Sequence, residues 1–533
     1  MPADPATLIS QAAGALSRGD LAGTEQAARA ALAVPGYRSS DALHLLGLVR
    51  IRQDRLEDSA SLLAQADRDH PGQPRLLLNL GKVTAALGRL AEAEIILGRG
   101  LELAPDPALK ADFAADLFSV QRQQHKREAA LATATLIRGL DPARVAFDDE
   151  RFDLLNELGR HDEALTLMQA MLAREPANAL LHRQYNGLLH RLGRQDEMFR
   201  SYDAAPASTD LQMDKAILLS QSGRYDDGQA AVAALLVREP DNVQALLASA
   251  SMLTELERTD EAIALLEKAQ ARRPGDMSFK AGIGNAALRG GDPQKAAAFL
   301  EEALQAAPND NISLARLSTA WRLLGEERDE ALMGYDELVR IFDLDAPPGF
   351  SSMAAFNAEL EAVLAGLHPN TREYLDQSLR GGTQTQGNIF GAGHVLVDMI
   401  KLRIDEAVAR YIAELAADPA HPLRRHKCDG FAYAGSWSSR LSDCGFHTNH
   451  LHPMGWISSC YYVGLPAVIA NETARQGWIK FGEPDFKSGL AIRRAIQPQP
   501  GRLVLFPSYM WHGTIPFRSA EKRTTIAFDV VPT

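Results

Sequence analysis

Prolines recur along the first two thirds of this chain at a fixed spacing, and that spacing constrains the fold more than any other feature. Pro71 and Pro105 lie 34 residues apart, as do Pro142 and Pro176, and Pro240, Pro274 and Pro308 continue at the same step. Gly223, Gly291 and Gly325 fall on the same lattice, with Glu257 filling the slot between the first two, while Gly88, Gly159 and Gly193 mark earlier units. A period of this length belongs to stacked supersecondary units, each too small to bury its apolar face alone. Within a unit, small residues stand 12 apart where paired helices must approach closely: Gly81 with Ala93, Ala250 with Ala262, Gly284 with Ala296. Leu77, Leu80 and Leu97 are placed to fill the neighbouring holes, and each proline closes a second helix, with Asp or Asn following.

This pattern resembles the tetratricopeptide repeat. Ten units are expected, beginning near residues 5, 40, 74, 108, 145, 179, 209, 243, 277 and 311, so that a solenoid spans 1–345. The unit from 108 is stretched to 37 residues, and the unit from 179 is cut to 30 and contains Pro206, so a bend is expected there. A generic helical bundle would not keep two punctuation signals in step. Solenoids of this kind commonly cradle a protein or peptide on a curved surface, but their consensus residues are packing residues and do not identify the ligand.

The length of 533 residues calls for more than one core. A net charge of -12, with both signs mixed along the chain, provides no basic stripe for phosphates, so nucleic acid is not an expected partner. Cys428, Cys444 and Cys460 are too widely spaced for a zinc-ligand pair or a disulfide framework. No basic N-terminal cluster precedes an apolar run, and no apolar stretch reaches the roughly 18 residues of a membrane span. A soluble, cytoplasmic protein without a membrane partner is the expectation.

After Pro347 and Pro348 the lattice stops, and a second domain is expected over 346–533, with a helical lead-in over 346–430 and a β-barrel core over 431–533. Helices are expected over Met353–Leu367 and Gly393–Ala417, with a polar loop over Arg380–Asn388 between them. The β-prone runs Gly435–Leu441, Gly445–His452, Ile457–Val463, Gly477–Phe481, Arg502–Phe506 and Thr524–Val531 suggest a small antiparallel barrel or jelly roll. Chemistry concentrates in Gly-Phe-His-Thr-Asn-His-Leu-His-Pro-Met-Gly-Trp, which holds His447, His450 and His452. On a strand, His450 and His452 project together with Thr448, able to grip a metal, while His447 and Asn449 point to the opposite side. A further histidine, His512, follows Pro507 just beyond a strand, and Arg523 comes 11 residues later.

That order resembles the double-stranded β-helix dioxygenases that use Fe(II) and 2-oxoglutarate, in which a His-x-Asp/Glu pair, a distal His and a downstream Arg recur. More narrowly, His-x-His-Pro-x-Gly-Trp-Ile-Ser-x-x-Tyr-Tyr-Val followed by Leu-Val-Leu-Phe-Pro-Ser is similar to a bacterial subgroup of oxygenases often joined to tetratricopeptide repeats. The resemblance implies an α + β multidomain chain, an all-α solenoid followed by a double-stranded β-helix. It implies Fe(II) held by His450, His452 and His512, 2-oxoglutarate and O2 as co-substrates, and no catalytic residue separate from the metal ligands. Arg523 would grip the far carboxylate of 2-oxoglutarate, Thr525 would add a hydroxyl, and Tyr462 would touch the co-substrate.

His452 stands where the family usually has a carboxylate. The site is therefore three histidines, or uses an acid from elsewhere, or holds iron with only two protein ligands. The implied activity is hydroxylation of a protein or peptide recruited by the repeats, with oxidation of 2-oxoglutarate to succinate. Two other readings stay open: a three-histidine cupin-like dioxygenase that does not use 2-oxoglutarate, and a scaffold whose barrel has lost catalysis. Tyr461 reads as core, Arg380 as part of a loop that covers the barrel mouth or a solvated linker, and Cys444 and Cys460 as small apolar residues outside the site.

Overall fold

The computed structural model describes residues 4–370, 372–375, 377–385 and 387–533. It divides into two compact units, Met1–Leu167 and Met168–Thr533.

The first unit is built of helix pairs: Pro5–Ser17 with Leu21–Leu32, Ser40–Arg52 with Leu56–Asp69, Pro74–Ala86 with Leu90–Leu103, and Pro107–Gln123 with Arg127–Leu140. Ala146–Glu157 opens the next pair. Pro5, Pro74 and Pro107 sit in the first turn of their helices, where a missing N–H costs nothing. Helices pack closely because a small residue receives a large one. A Cβ on Gly81 would stand 2.5 Å from Leu97 Cδ2, and both Leu97 and Ala93 are fully buried.

The second unit continues the repeat with Ala179–Arg191, Thr209–Gln221, Val243–Glu255, Met277–Arg289 and Asn311–Leu324 as first helices. These starts follow the expected lattice. Glu257, the non-glycine in a glycine slot, adopts φ 60°, so the turn geometry is imposed by the packed repeats rather than by the residue. The unit from 179 departs from the pattern, as its length implies. Its second helix is broken into Gln195–Glu197 and Arg200–Ala204, with Phe199 at φ 70° between them. Asn186 Oδ1 accepts the Phe199 N–H at 2.6 Å and stabilises the break.

Among the described residues nine strands follow: β1 Arg340–Asp343, β2 Leu379–Gln384, β3 Phe431–His447, β4 Ile457–Gly464, β5 Ile479–Phe481, β6 Arg494–Ile496, β7 Arg502–Pro507, β8 His512–Thr514 and β9 Arg523–Pro532. They form a six-stranded sheet in the order β1-β7-β4-β9-β3-β2 and a three-stranded sheet in the order β6-β5-β8, antiparallel throughout. Helices Met353–Ala365 and Val395–Glu414 cover the large sheet, with Phe356, Leu360, Ile400, Ile404 and Val408 in its core.

Three local features differ from expectation. β1 enters the sheet before residue 345, pairing with β7 and tied by Arg502 Nε to Asp343 Oδ1 at 2.7 Å. One apolar core then runs from Leu300, Leu317 and Trp321 of the repeats to Leu505 and Tyr509 of the sheet domain. The first part of the stretch expected as a polar loop, up to Gln384, forms β2, because Gly381, at φ 66°, and Gly382 let the chain pass closely over β3; a Cβ on Gly382 would stand 2.4 Å from Arg440 O. The runs Gly435–Leu441 and Gly445–His452 are not two strands: β3 continues through a left-handed Cys444 and stops at His447. Among the described residues, no helix is long and apolar enough to cross a membrane.

Tight helix contacts can be tested against loose ones. A Cβ on Gly284 would lie 2.6 Å from Leu300 Cγ, whereas one on Gly98 meets nothing within 4 Å. Gly284→Val should destabilise the protein by about 1–3 kcal/mol through overpacking, and Gly98→Ala should stabilise it by about 0.5–1 kcal/mol through helix propensity. Thermal unfolding of the two variants is expected to move in opposite directions.

Candidate metal centre

Where β3 ends, the chain turns back along the mouth of the fold and is pinned there by backbone bonds. His450 and His512 exchange both N–H···O bonds, at 2.9 and 3.0 Å, and His452 N donates to Ser508 O at 3.0 Å. His450, His452 and His512 each offer a nitrogen within 4.8 Å of the others. Their ring centroids lie 4.2 Å apart for His450 and His512, 5.2 Å for His450 and His452, and 5.1 Å for His452 and His512. The three histidines singled out in the sequence are therefore brought together.

His447 is not on the opposite side. Its ring lies 5.9 Å from that of His450, its Nδ1 pairs with Ser378 Oγ at 3.2 Å, and it lines the same cavity. Strict alternation applies only inside a regular strand, and β3 stops at this residue.

The orientation of the imidazoles is set from behind. His450 Nδ1 lies 2.8 Å from Thr448 O, and His512 Nδ1 lies 2.9 Å from Met510 O. A carbonyl only accepts, so each Nδ1 carries the proton and each Nε2 keeps its lone pair for a metal. His452 Nδ1 lies 2.6 and 2.7 Å from the two oxygens of Asp529, which leaves the same nitrogen available. Burial, reinforced by the neighbouring His452, pushes His450 down to about 3, and burial likewise drives His512 and His447 well below the usual histidine range. Neutral rings are the form that ligates.

Asp529 is the acid that the histidine motif lacks, and it grips His452 instead of standing in its place. It also accepts the Ser458 hydroxyl at 2.6 Å, and Ser458 in turn pairs with Ser508 at 2.8 Å. A carboxylate behind a ligating imidazole fixes its tautomer and raises its basicity. Alternation along β9 could have found it, because Arg523, Thr525, Ala527 and Asp529 all line the cavity.

That cavity, of about 540 Å³, is walled by Trp437, Ile479 and Phe506 besides the histidines. Trp437 stacks over His452 with centroids 5.7 Å apart. Arg523 is 1% exposed, donates through Nε to Gly477 O at 3.1 Å, and has no carboxylate partner among the described residues. Its guanidinium sits 5.1 Å from the centre of the Tyr462 ring. Thr525 lines the cavity, but Tyr462 does not; its ring underlies Arg523. The Tyr462 hydroxyl is buried beside the Cys460 thiol without a partner at normal hydrogen-bond geometry. Cys460 faces the cavity and Cys444 is exposed, so neither joins the histidine cluster. Tyr461 is core, its hydroxyl bonded to Asn357 Oδ1 at 2.7 Å.

The donor set fits a divalent metal of the iron type, which imidazole suits. An unpaired buried guanidinium on the same wall fits an anion beside it. The loop carrying His452 is held by the repeats themselves: Asn311 Nδ2 reaches the carbonyls of His452, Pro453 and Gly455 at 2.9, 3.2 and 2.8 Å.

With this geometry in place, comparison with known proteins adds an independent line. A family model described as "Putative 2OG-Fe(II) oxygenase" matches residues 435–529, and tetratricopeptide-repeat models match 50–117, 213–276 and 255–311. The chain carries a tetratricopeptide-repeat region and, at its C-terminal end, a domain of the 2OG-Fe(II) oxygenase type. Similar solved structures include a tetratricopeptide repeat protein from Parabacteroides merdae, 17% identical, covering 53% of this chain and 98% of that one, with a TM-score of 0.24. Another is a chain of the Naa15/Naa10 complex bound to HypK-THB, 12% identical, covering 77% and 72%, with a TM-score of 0.38. Pseudomonas aeruginosa pilF is 17% identical over 45% of this chain and 94% of that one, with a TM-score of 0.28. Overlaps this loose carry no argument about function. No curated protein matches the chain.

Removing the charge of Asp529 tests its place behind the metal. Asp529→Asn should lower Fe(II) affinity by about 10–100-fold, the usual effect of losing a partner behind a ligand. Anaerobic Fe(II) titration of the two proteins checks it, and equal affinities would remove Asp529 from the centre.

Proposed function

We propose that the protein is an Fe(II)- and 2-oxoglutarate-dependent oxygenase that hydroxylates a protein or peptide held by its repeats. The observation that carries the reading is Arg523, a buried arginine without an acid among the described residues, on the wall of the cavity into which three imidazoles open. A guanidinium offers a paired fork to a carboxylate, so a co-substrate acid completes it where water cannot.

Bound Fe(II) supplies the oxidising chemistry, in which substrate C–H, 2-oxoglutarate and O2 become substrate C–OH, succinate and CO2. The chain's own part is geometric. His450, His452 and His512 hold the metal through Nε2, with their Nδ1 protons tied to Thr448 O, Asp529 and Met510 O. Arg523 takes the far carboxylate of 2-oxoglutarate, backed by the Tyr462 ring, and Thr525 offers a hydroxyl on the same strand face. Trp437, Ile479 and Phe506 keep water from the reacting centre.

A second reading keeps one specific observation. No carboxylate stands in the ligand triad itself, because Asp529 bonds to His452, and three histidines also suit a dioxygenase that does not use 2-oxoglutarate. The two readings part on co-substrate binding.

Full-length protein with Fe(II) and O2 should convert 2-oxoglutarate to succinate. Arg523→Ala should raise the KM for 2-oxoglutarate by about 30-fold or more, the effect of breaking a buried charge pair worth about 2–5 kcal/mol. Full turnover of Arg523→Ala at low co-substrate would defeat the carboxylate role. Metal binding without any 2-oxoglutarate binding would favour the second reading.

A further inference from the structure

Helices Val243–Glu255, Met277–Arg289 and Asn311–Leu324 border a second cavity, of about 400 Å³, whose wall includes Leu247, Met277 and Ile312 together with Asn285, Ser313 and Arg316. Arg316 has neither an ion pair nor a hydrogen bond among the described residues. The acids nearest to it are engaged elsewhere. Asp485 pairs with Arg289 at 3.4 Å, and Asp310, which also lines the cavity, caps its helix by accepting Ser313 N at 3.2 Å. Burial disfavours the Arg316 cation and lowers its pKa from the usual arginine value, with Asp485 and Asp310 offsetting part of that effect.

Ser313 is a second, independent sign of a missing ligand. The residue is 1% exposed and its hydroxyl has no partner among the described residues. Three residues before Arg316 on one helix, it shares that residue's face. A guanidinium, a hydroxyl and the Asn285 amide on one cavity wall form a donor set for a carboxylate, while Leu247, Met277 and Ile312 suit the apolar part of a peptide.

The groove lies next to the metal cavity. Asn311, between the groove residues Asp310 and Ile312, holds the carbonyl of Pro453, and Pro453 and Met454 line the metal cavity. Met454 is 84% exposed, a large apolar side chain at that cavity's edge.

We infer that this groove takes an extended peptide bearing an Asp or Glu side chain, whose carboxylate pairs with Arg316 while a neighbouring residue passes Met454 into the metal cavity. A side-chain carboxylate lets the segment run on from Arg316 in either chain direction towards the metal cavity, and it is the source assigned here. The inference rests on the oxygenase reading for what happens in that cavity, and it adds the substrate class: acidic peptides.

A soluble library of random 12-residue peptides, selected on the full-length chain, should show Asp or Glu enriched at one position by about tenfold, the size of one charge-assisted hydrogen bond. Arg316→Gln should abolish the enrichment at an unchanged thermal midpoint, and Arg316→Glu should replace it with Lys or Arg. Absence of acidic enrichment, its persistence in Arg316→Gln, or selection of the C-terminal carboxylate regardless of sequence would overturn the assignment. The selection needs neither iron nor 2-oxoglutarate, so its failure is separate from a failure to form succinate, which would defeat the oxygenase reading instead.

Discussion

Two backbone hydrogen bonds, exchanged between His450 and His512, set the geometry on which the candidate centre depends. They lock the segment after β3 against the start of β8 and place two imidazoles side by side from distant parts of the chain. Everything else at the site is arranged around that bridge. His452 reaches the same point because its own N–H is bonded to Ser508, and its ring is then turned by Asp529. The carbonyls of Thr448 and Met510 do the same for the other two rings, so all three imidazoles are oriented from behind.

The repeats are part of this support. Asn311 opens the helix of the last repeat and spends its amide on three carbonyls of the His452 loop. Beneath it, Trp511 Nε1 donates to Thr319 Oγ1 at 3.1 Å, and Leu317, Trp321 and Tyr335 share one core with Leu505 and Tyr509. Moreover, β1 follows the last repeat directly and pairs with β7. A cut at residue 345 would remove an edge strand and the anchor of a candidate ligand loop together. The repeats from Met168 onward and the sheet domain form one compact unit.

An arginine without an acid partner marks each cavity, fully buried at Arg523 and half-buried at Arg316. A guanidinium taken out of water without an acid is costly, and a protein retains such a group where a ligand completes it. Arg523 faces the histidines and Arg316 faces the repeat groove, each with its nearest acids absent or engaged elsewhere. A carboxylate would complete each, that of the proposed co-substrate at Arg523 and that of the proposed peptide at Arg316.

The period of 34 residues determined the repeat array down to where its units start, because repeat packing is local: Gly81 meets Leu97 of its own unit, and Gly284 meets Leu300 of its own. The residue types and their order also singled out His450, His452, His512 and Arg523, which the structure places around one cavity. What the sequence alone could not show depends on contacts between distant segments. β2 is a strand because β3 lies beside it, β1 joins a sheet whose partner comes about 160 residues later, and His447 turns inward because its strand ends there. Asp529 supports His452 across 77 residues; alternation along β9 places it on the cavity face, but its pairing with His452 is written near neither residue. Residue chemistry and period are written locally, whereas which carboxylate stands behind which imidazole is decided only when the sheet closes.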